Sequence, residues 1–181
     1  MLEKTRNDRI FYNNLAFDWK SSVKYLGVTL DNKLLFKDHI DNVIHKASAH
    51  SFSSFYCILK RNSHASLESK LRIYKSYIRP IMTYACPIFV NAAKCHINKL
   101  QLFQNKILRM ILDIHWDDFK SNKDIHDSAN IPLIKDYIDK ITNNFYSKSN
   151  SHSNHLIANL GNYDADSLPF VAKHRLPKPV M

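Results

Sequence analysis

Only two glycines, Gly27 and Gly161, occur in 181 residues, accompanied by six prolines. A sandwich or barrel of many short strands needs tight turns, and these draw on glycine for backbone conformations with positive φ. The scarcity therefore points to a mainly α chain. Hydrophobic residues make up 45% and aromatic residues 12% of it, which is enough to bury a core and argues against wholesale disorder. One medium domain, or a helical domain with small appendages, is expected at this length.

The first strand signals are "RIFY" and "VKYLGVTL", with "NNLAFDWKSS" between them as a loop. Read as one extended strand, the second run places Leu26, Val28 and Leu30 on one face and Tyr25, Gly27 and Thr29 on the other. The two runs form a candidate N-terminal β-hairpin. Glycine inside a strand marks a bulge, relief of crowding or a close approach by another backbone. Helical spacing comes next: Ile40, Val43, Ile44, Ala47, Phe55, Ile58 and Leu59 predict a helix over 36–60. Ser66 reads as the N-cap of a second helix, with Leu67, Leu71, Tyr74, Ile78 and Ile81 inward. Arg72, Lys75 and Arg79 fall beside that stripe as a basic ridge, and Pro80 is expected to kink the helix near Tyr77. A third helix is expected over 93–113, with Ile97, Leu100, Phe103, Ile107 and Ile111 inward and Lys99, Lys106 and Arg109 opposite. After it come a loop with a short helix, and then a helix starting near Pro132 whose inward side is Leu133, Ile134, Ile138, Ile141 and Phe145. "LPFVAKHRLPKPVM" is a basic tail without acids, expected to be flexible or docked on a partner.

The charge balance is strongly basic: 26 Lys and Arg against 16 Asp and Glu, a formal +10. A surplus of this size suits polyanions, because each cation placed on a phosphate releases condensed counterions. It is equally compatible with a scattered basic surface that aids solubility. Cys57, Cys86 and Cys95 form no CxxC pair and cannot all be bridged internally, so a reduced, intracellular chain is the simpler expectation. No apolar run approaches the roughly 20 residues of a membrane span, and the charged start "MLEKTRNDRI" has no signal-peptide core. His152 and His155 are spaced like metal ligands, and Cys86, Cys95 and His96 cluster in sequence. No four-ligand pattern exists, so no metal site is expected. Activated-thiol contexts, phosphate-binding glycine loops and dinucleotide fingerprints are absent from the sequence.

The ordered blocks "LEKT", "VKYLGVTLD", "LLFKDHI", "SLESKLRIYKSYIRPIMTYACPIF", "KLQLFQNKILRMI" and "DIHDSANIPLIKDYI" closely resemble the C-terminal part of reverse transcriptases of jockey-like non-LTR retrotransposons. The resemblance runs from Leu2 to about residue 160, and its specificity lies in the order and spacing of all six blocks. It implies a division into the end of the palm and a primer-grip hairpin (1–33), a thumb-like helical bundle (34–115), a post-thumb helical extension (116–160) and a basic, proline-containing tail (161–181). It also implies that Lys4 of "LEKT" is the general acid toward leaving pyrophosphate in the full enzyme. Tyr25, Leu26 and Gly27 match the primer grip, where a missing Cβ lets the backbone approach the primer. Arg72, Lys75, Arg79, Lys99, Lys106 and Arg109 become candidate phosphate contacts of the thumb.

Nucleotidyl transfer of this kind uses carboxylates holding two metal ions, and the family's paired-aspartate palm signature is not in this sequence. Asp117 and Asp118 of "WDDF" read as loop or helix-cap residues. The resemblance thus implies a fragment of an RNA-directed DNA polymerase that needs divalent metal (Mg) only in its full-length form. No cofactor is expected in this chain, which by itself should not polymerise. The implied partner is an RNA–DNA hybrid or RNA template–primer, in a nuclear or cytoplasmic ribonucleoprotein. Two other readings stay open: a non-catalytic basic module binding RNA or protein, and a relic without function. Self-association through Ile10–Tyr12 and Leu26–Leu30 is also expected, since two strands alone are marginal.

Overall fold

The computed structural model describes residues 20–115, 117–160 and 162, together with the backbone of strands β1 (Ile10–Tyr12) and β2 (Leu15–Phe17). Lys4 lies outside the described residues. The chain is mainly helical, preceded by antiparallel hairpins, as composition and periodicity predicted. The pairing within the hairpins differs from that expectation. β1 pairs with β2, which lies in the stretch expected to be a loop, and "VKYLGVTL" folds back on itself as β3 (Ser22–Tyr25) and β4 (Val28–Asp31). Tyr25 opposes Val28, so the connection is the two residues Leu26 and Gly27. Both have positive φ, 46° and 83°, the arrangement of a type I′ turn, whose twist matches that of the flanking strands. Gly27 is therefore a turn residue and not a strand residue. Folding back also reassigns the faces: Val23, Tyr25, Val28 and Leu30 share one side.

That side is only half covered. Val28 is buried against the core and Leu30 packs at its edge, while Val23 and Tyr25 are exposed. The expected exposure of Leu26–Leu30 is thus corrected at Val28, which docks on α1 (Lys37–Ala49).

Asp31 organises the passage from β4 into α1. Its carboxylate accepts the backbone N–H groups of Lys33 (3.0 Å), Leu35 (3.0 Å) and Phe36 (2.7 Å). Those bonds hold Leu34 and Phe36 in left-handed backbone conformations (φ 50° and 57°), which cost a non-glycine residue roughly 1–2 kcal/mol each. Phe36 is thereby turned into the core.

The helix expected over 36–60 is interrupted. After α1 comes a π-helical turn, His50–Ser54, then α2 (Tyr56–Leu59). Buried Ser51 donates to the Ala47 carbonyl at 2.7 Å, a back-bond that bends helices. The second helix starts at α3 (Leu67–Ile73), with Ser66 Oγ accepting from Ser69 N–H as its capping pattern predicted. It passes through a second π-helical turn, Tyr74–Ile78, into α4 (Arg79–Met82). Arg79 N–H reaches back to the Tyr74 carbonyl. Pro80 has no N–H and its ring crowds the carbonyl four residues back; a wider π turn just before it accommodates both. The expected irregularity near Tyr77 is this turn.

After α5 (Cys86–Phe89), helix α6 (Lys94–Ile111) buries Ile97, Leu100, Phe103, Ile107 and Ile111, the stripe read from periodicity. Helix α7 (Asn122–Ala129) carries a capping box between Ser121 and Asp124. In α8 (Ile134–Asn150) the buried line is Ile134, Ile138, Thr142 and Tyr146, so Leu133 and Phe145, expected inside, are exposed. A short α9 (His155–Ala158) completes the described helices. One apolar cluster links Val28 on β4 to Ile138 on α8.

Partial burial pushes the Asp31 carboxyl up, and the N–H groups of Leu35, Phe36 and Lys33 outweigh it, holding the group below its ordinary value of 3.8. A depressed carboxyl contributes stability that is present above the ordinary value and lost as pH falls through the folded one. Asp31→Ala is expected to lower unfolding stability by about 2 kcal/mol at neutral pH, the scale of hydrogen bonds to a charged group. In urea titrations the difference from wild type should shrink below pH 3.8.

Candidate nucleic-acid interface

Tyr84, just beyond α4, seats the β3–β4 turn. Its hydroxyl donates to the Leu26 carbonyl at 3.0 Å. Its ring comes so near Gly27 that a Cβ there would lie 3.3 Å from Tyr84 Cε1. The close neighbour that explains Gly27 within this chain is a tyrosine ring, and the positive φ adds a second reason for glycine. Tyr25 (66%) and Leu26 (73%) project into solvent at the tip.

A groove of about 800 Å³ opens beside this turn, between the hairpin, α1 and α4, and Lys24 and Lys46 border it. His39 closes its floor. The imidazole is buried, tilted on Phe89 with ring centroids 5.2 Å apart, and its Nδ1 accepts Thr29 N–H at 3.4 Å. Accepting at Nδ1 places the proton on Nε2. Burial pushes the His39 pKa below its ordinary 6.5, so the ring is neutral at pH 7.

The six basic residues singled out from sequence meet different fates. Arg72 and Lys75 are exposed on the α3 side, although Arg72 pairs with Glu68 at 2.9 Å. Arg79 leaves their ridge. Its guanidinium lies 3.9 Å from the centroid of the Tyr137 ring and its Nε is buried, because the π turn adds a residue to the turn and rotates everything after it. The face that stays outward is Arg72, Ser76, Pro80 and Tyr84, all exposed. It steps by four and leads from the α3 cations to the hairpin groove. Lys99 forms an ion pair with Asp41 at 2.5 Å, joining α6 to α1. Lys106 sits over the Phe52 ring at 4.9 Å, and Arg109 donates to the Lys120 carbonyl at 2.9 Å. These last two belong to a separate cleft that shares no lining residue with the groove.

Helical phase puts Lys70 off the basic ridge, and the structure gives it a different task. It is buried (5% exposed), and its ammonium donates to the carbonyls of Lys60 (3.0 Å) and Arg61 (3.4 Å). Sequence reasoning also misses a buried polar cluster. Gln104 donates to the Tyr74 hydroxyl (2.9 Å) and to the Pro132 carbonyl (3.1 Å), while Gln101 accepts Ile134 N–H (2.9 Å) and donates to Gln104 and Asn105. His126 Nδ1 donates to the Ile131 carbonyl at 2.8 Å. The available signal is a run of amides on the inward side of α6.

Among the described residues no three His, Cys, Asp or Glu side chains come together to hold an ion, and four of the carboxylates have partners within the fold: Asp31 backbone N–H groups, Asp41 Lys99, Asp124 Ser121 and Asp139 Lys135. Asp117 and Asp118 are loop residues, both bonded to His115. No described helix is long and apolar enough to cross a membrane.

A basic helical chain with a tyrosine-seated hairpin turn finds its homologues among RNA-directed DNA polymerases of mobile elements. The RNA-directed DNA polymerase from mobile element jockey of Drosophila melanogaster is 35% identical over 155 residues, covering 86% of this chain, and that of Drosophila funebris is 33% identical over 138 residues. The probable RNA-directed DNA polymerase from transposon X-element of Drosophila melanogaster is 32% identical over 151 residues, covering 83%. The chain spans 15–16% of the length of these three relatives. No family model matches it, and no solved structure matches it significantly.

Gly27→Ala should destabilise the fold by about 1–2 kcal/mol through its left-handed φ, with further loss as the Tyr84 ring is displaced; thermal unfolding measures it. For His39, a depressed pKa means stability that is full above 6.5 and declines as pH drops through the folded value. His39→Phe should therefore have a flatter stability profile than wild type between pH 7 and pH 5, read by denaturation at stepped pH.

Proposed function

We propose that this chain is the primer-grip and duplex-binding part of an RNA-directed DNA polymerase, with Tyr25, Leu26 and Gly27 at the primer. The observation that carries the reading is the outward face running from Arg72 and Lys75 through Ser76 and Pro80 to Tyr84, which ends at the groove bordered by Lys24 and Lys46. Cations spaced along a helix and ending at a tight, exposed turn suit a nucleic-acid backbone: the lysines and arginine neutralise phosphates, and the narrow turn reaches toward a strand end. The homology to polymerases of mobile elements supports the same partner class, a template–primer of RNA with DNA or RNA.

In this reading the helices of 34–115 act as a thumb, and those of 116–160 brace it through the Gln101–Gln104 cluster and the Arg79–Tyr137 stack. Contacts of this kind position a duplex without reading its sequence. Chemistry, the divalent metal it requires and any role of Lys4 as general acid belong to the assembled polymerase; the described carboxylates supply no step of it. Lys99, engaged with Asp41, and Arg79, engaged with Tyr137, act in this reading as struts of the bundle.

The test is fluorescence-anisotropy binding of the purified chain to a labelled RNA–DNA hybrid and to duplex DNA across a salt series. Hybrid binding should weaken with salt, and Arg72→Gln/Lys75→Gln should lower the slope of log K against log salt by about 1.8, near 0.9 per duplex phosphate contact. An unchanged slope in that variant, or no hybrid binding by wild type, overturns the reading.

A further inference from the structure

We infer that the cleft at the C-terminal end of α6 is a second nucleic-acid site, shaped for a single strand rather than a duplex. This goes beyond the duplex reading and does not rest on it. Two cavities of about 410 and 380 Å³ adjoin at Arg61 and Met110, which line both. Lys60, Arg61, Lys106 and Arg109 are the cations of this lining. Among the described residues the one carboxylate in an ion pair with any of these four is Asp113, 3.8 Å from Arg61.

The cations are held in advance of any ligand. Arg61 donates through Nη2 to the Ile114 carbonyl, and Arg109 through Nη2 to the Lys120 carbonyl. A guanidinium has five N–H donors, so each keeps donors for a phosphate while its side chain is already fixed, which lowers the ordering cost of binding. Lys106 is steadied over Phe52. Behind the cleft wall, the buried ammonium of Lys70 holds the carbonyls of Lys60 and Arg61 and so pins the loop that carries them.

The apolar lining decides between one strand and two. Tyr56 is 46% exposed, Leu102 is exposed and Met110 is half-buried at the junction of the two cavities. A duplex hides its base faces and offers such a surface only phosphates and sugars. A single strand offers base faces that stack on an aromatic ring while its phosphates track the cations. Cations beside an exposed tyrosine and apolar side chains match the second ligand.

The experiment uses the whole chain and a fluorescein-labelled oligo(U) of about 12 nucleotides, within the roughly 4–16 nucleotides that single-strand-binding OB-folds occupy. Lys60→Gln/Lys106→Gln should reduce the salt slope by about 1.4, near 0.7 per single-strand phosphate. Tyr56→Ala should weaken binding roughly tenfold at fixed salt while leaving the slope in place. Lys140→Gln/Lys148→Gln, which removes the same charge from exposed positions on α8, should change neither. Equal losses in the α8 variant would reduce the effect to net charge and overturn the inference. So would oligo(U) binding that ignores both cleft variants, or cleft variants that weaken only the hybrid. Loss of hybrid binding by wild type with oligo(U) binding intact overturns the duplex reading alone.

Discussion

The buried side-chain amide of Gln104 is the contact on which the arrangement of the helices depends. It sits on the inward side of α6 and donates to two oxygens far apart in sequence, the Tyr74 hydroxyl and the Pro132 carbonyl. A buried polar group left unpaired costs about 1–3 kcal/mol, so misplacing either oxygen is penalised. The amide therefore specifies where the second helix and the α7–α8 connection must lie along α6. Gln101 extends the constraint to the first turn of α8 through Ile134 N–H. Burial of the phenol pushes the Tyr74 pKa up to about 12, so the hydroxyl keeps its proton throughout the physiological range.

Given that frame, the two π-helical turns decide which side chains meet solvent. They pack on one another: Tyr77 of the second turn lies 5.6 Å from His50 and 4.7 Å from Phe55, both edge-on, at the two ends of the first turn. Each turn adds a residue to its helix and rotates the residues beyond it. The consequence falls on the basic residues. Arg79 swings onto Tyr137 and Tyr84 comes round to the hairpin, so a ridge that looks continuous in sequence becomes two cations and an outward path to the Leu26–Gly27 turn.

The molecule thus presents two basic surfaces of different character. One is open and leads to a tight exposed turn. The other is a cleft lined by Tyr56, Leu102 and Met110 beside guanidinium groups already held by backbone carbonyls.

The sequence by itself determined the helical class, the inward stripe of α6, the Ser66 cap and the irregularity before Pro80, because each depends on residues within a turn or two of one another. It also pointed to a special role for Gly27 without revealing it. Whether that glycine lay in a strand, a bulge or a turn depended on the pairing of Tyr25 with Val28, and its tight packing depended on Tyr84, 57 positions further along the chain. The same holds for the cations. Lys75 and Lys99 both read from the sequence as cations outside an apolar stripe, yet Asp41 on another helix engages Lys99. The burial of Lys70 required a loop's carbonyls to turn toward it. A period of 3.6 residues carries local phase faithfully only until a π turn shifts it, and it carries no information about partners brought near by packing. Tertiary structure alone decided which charges are structural and which remain open to solvent.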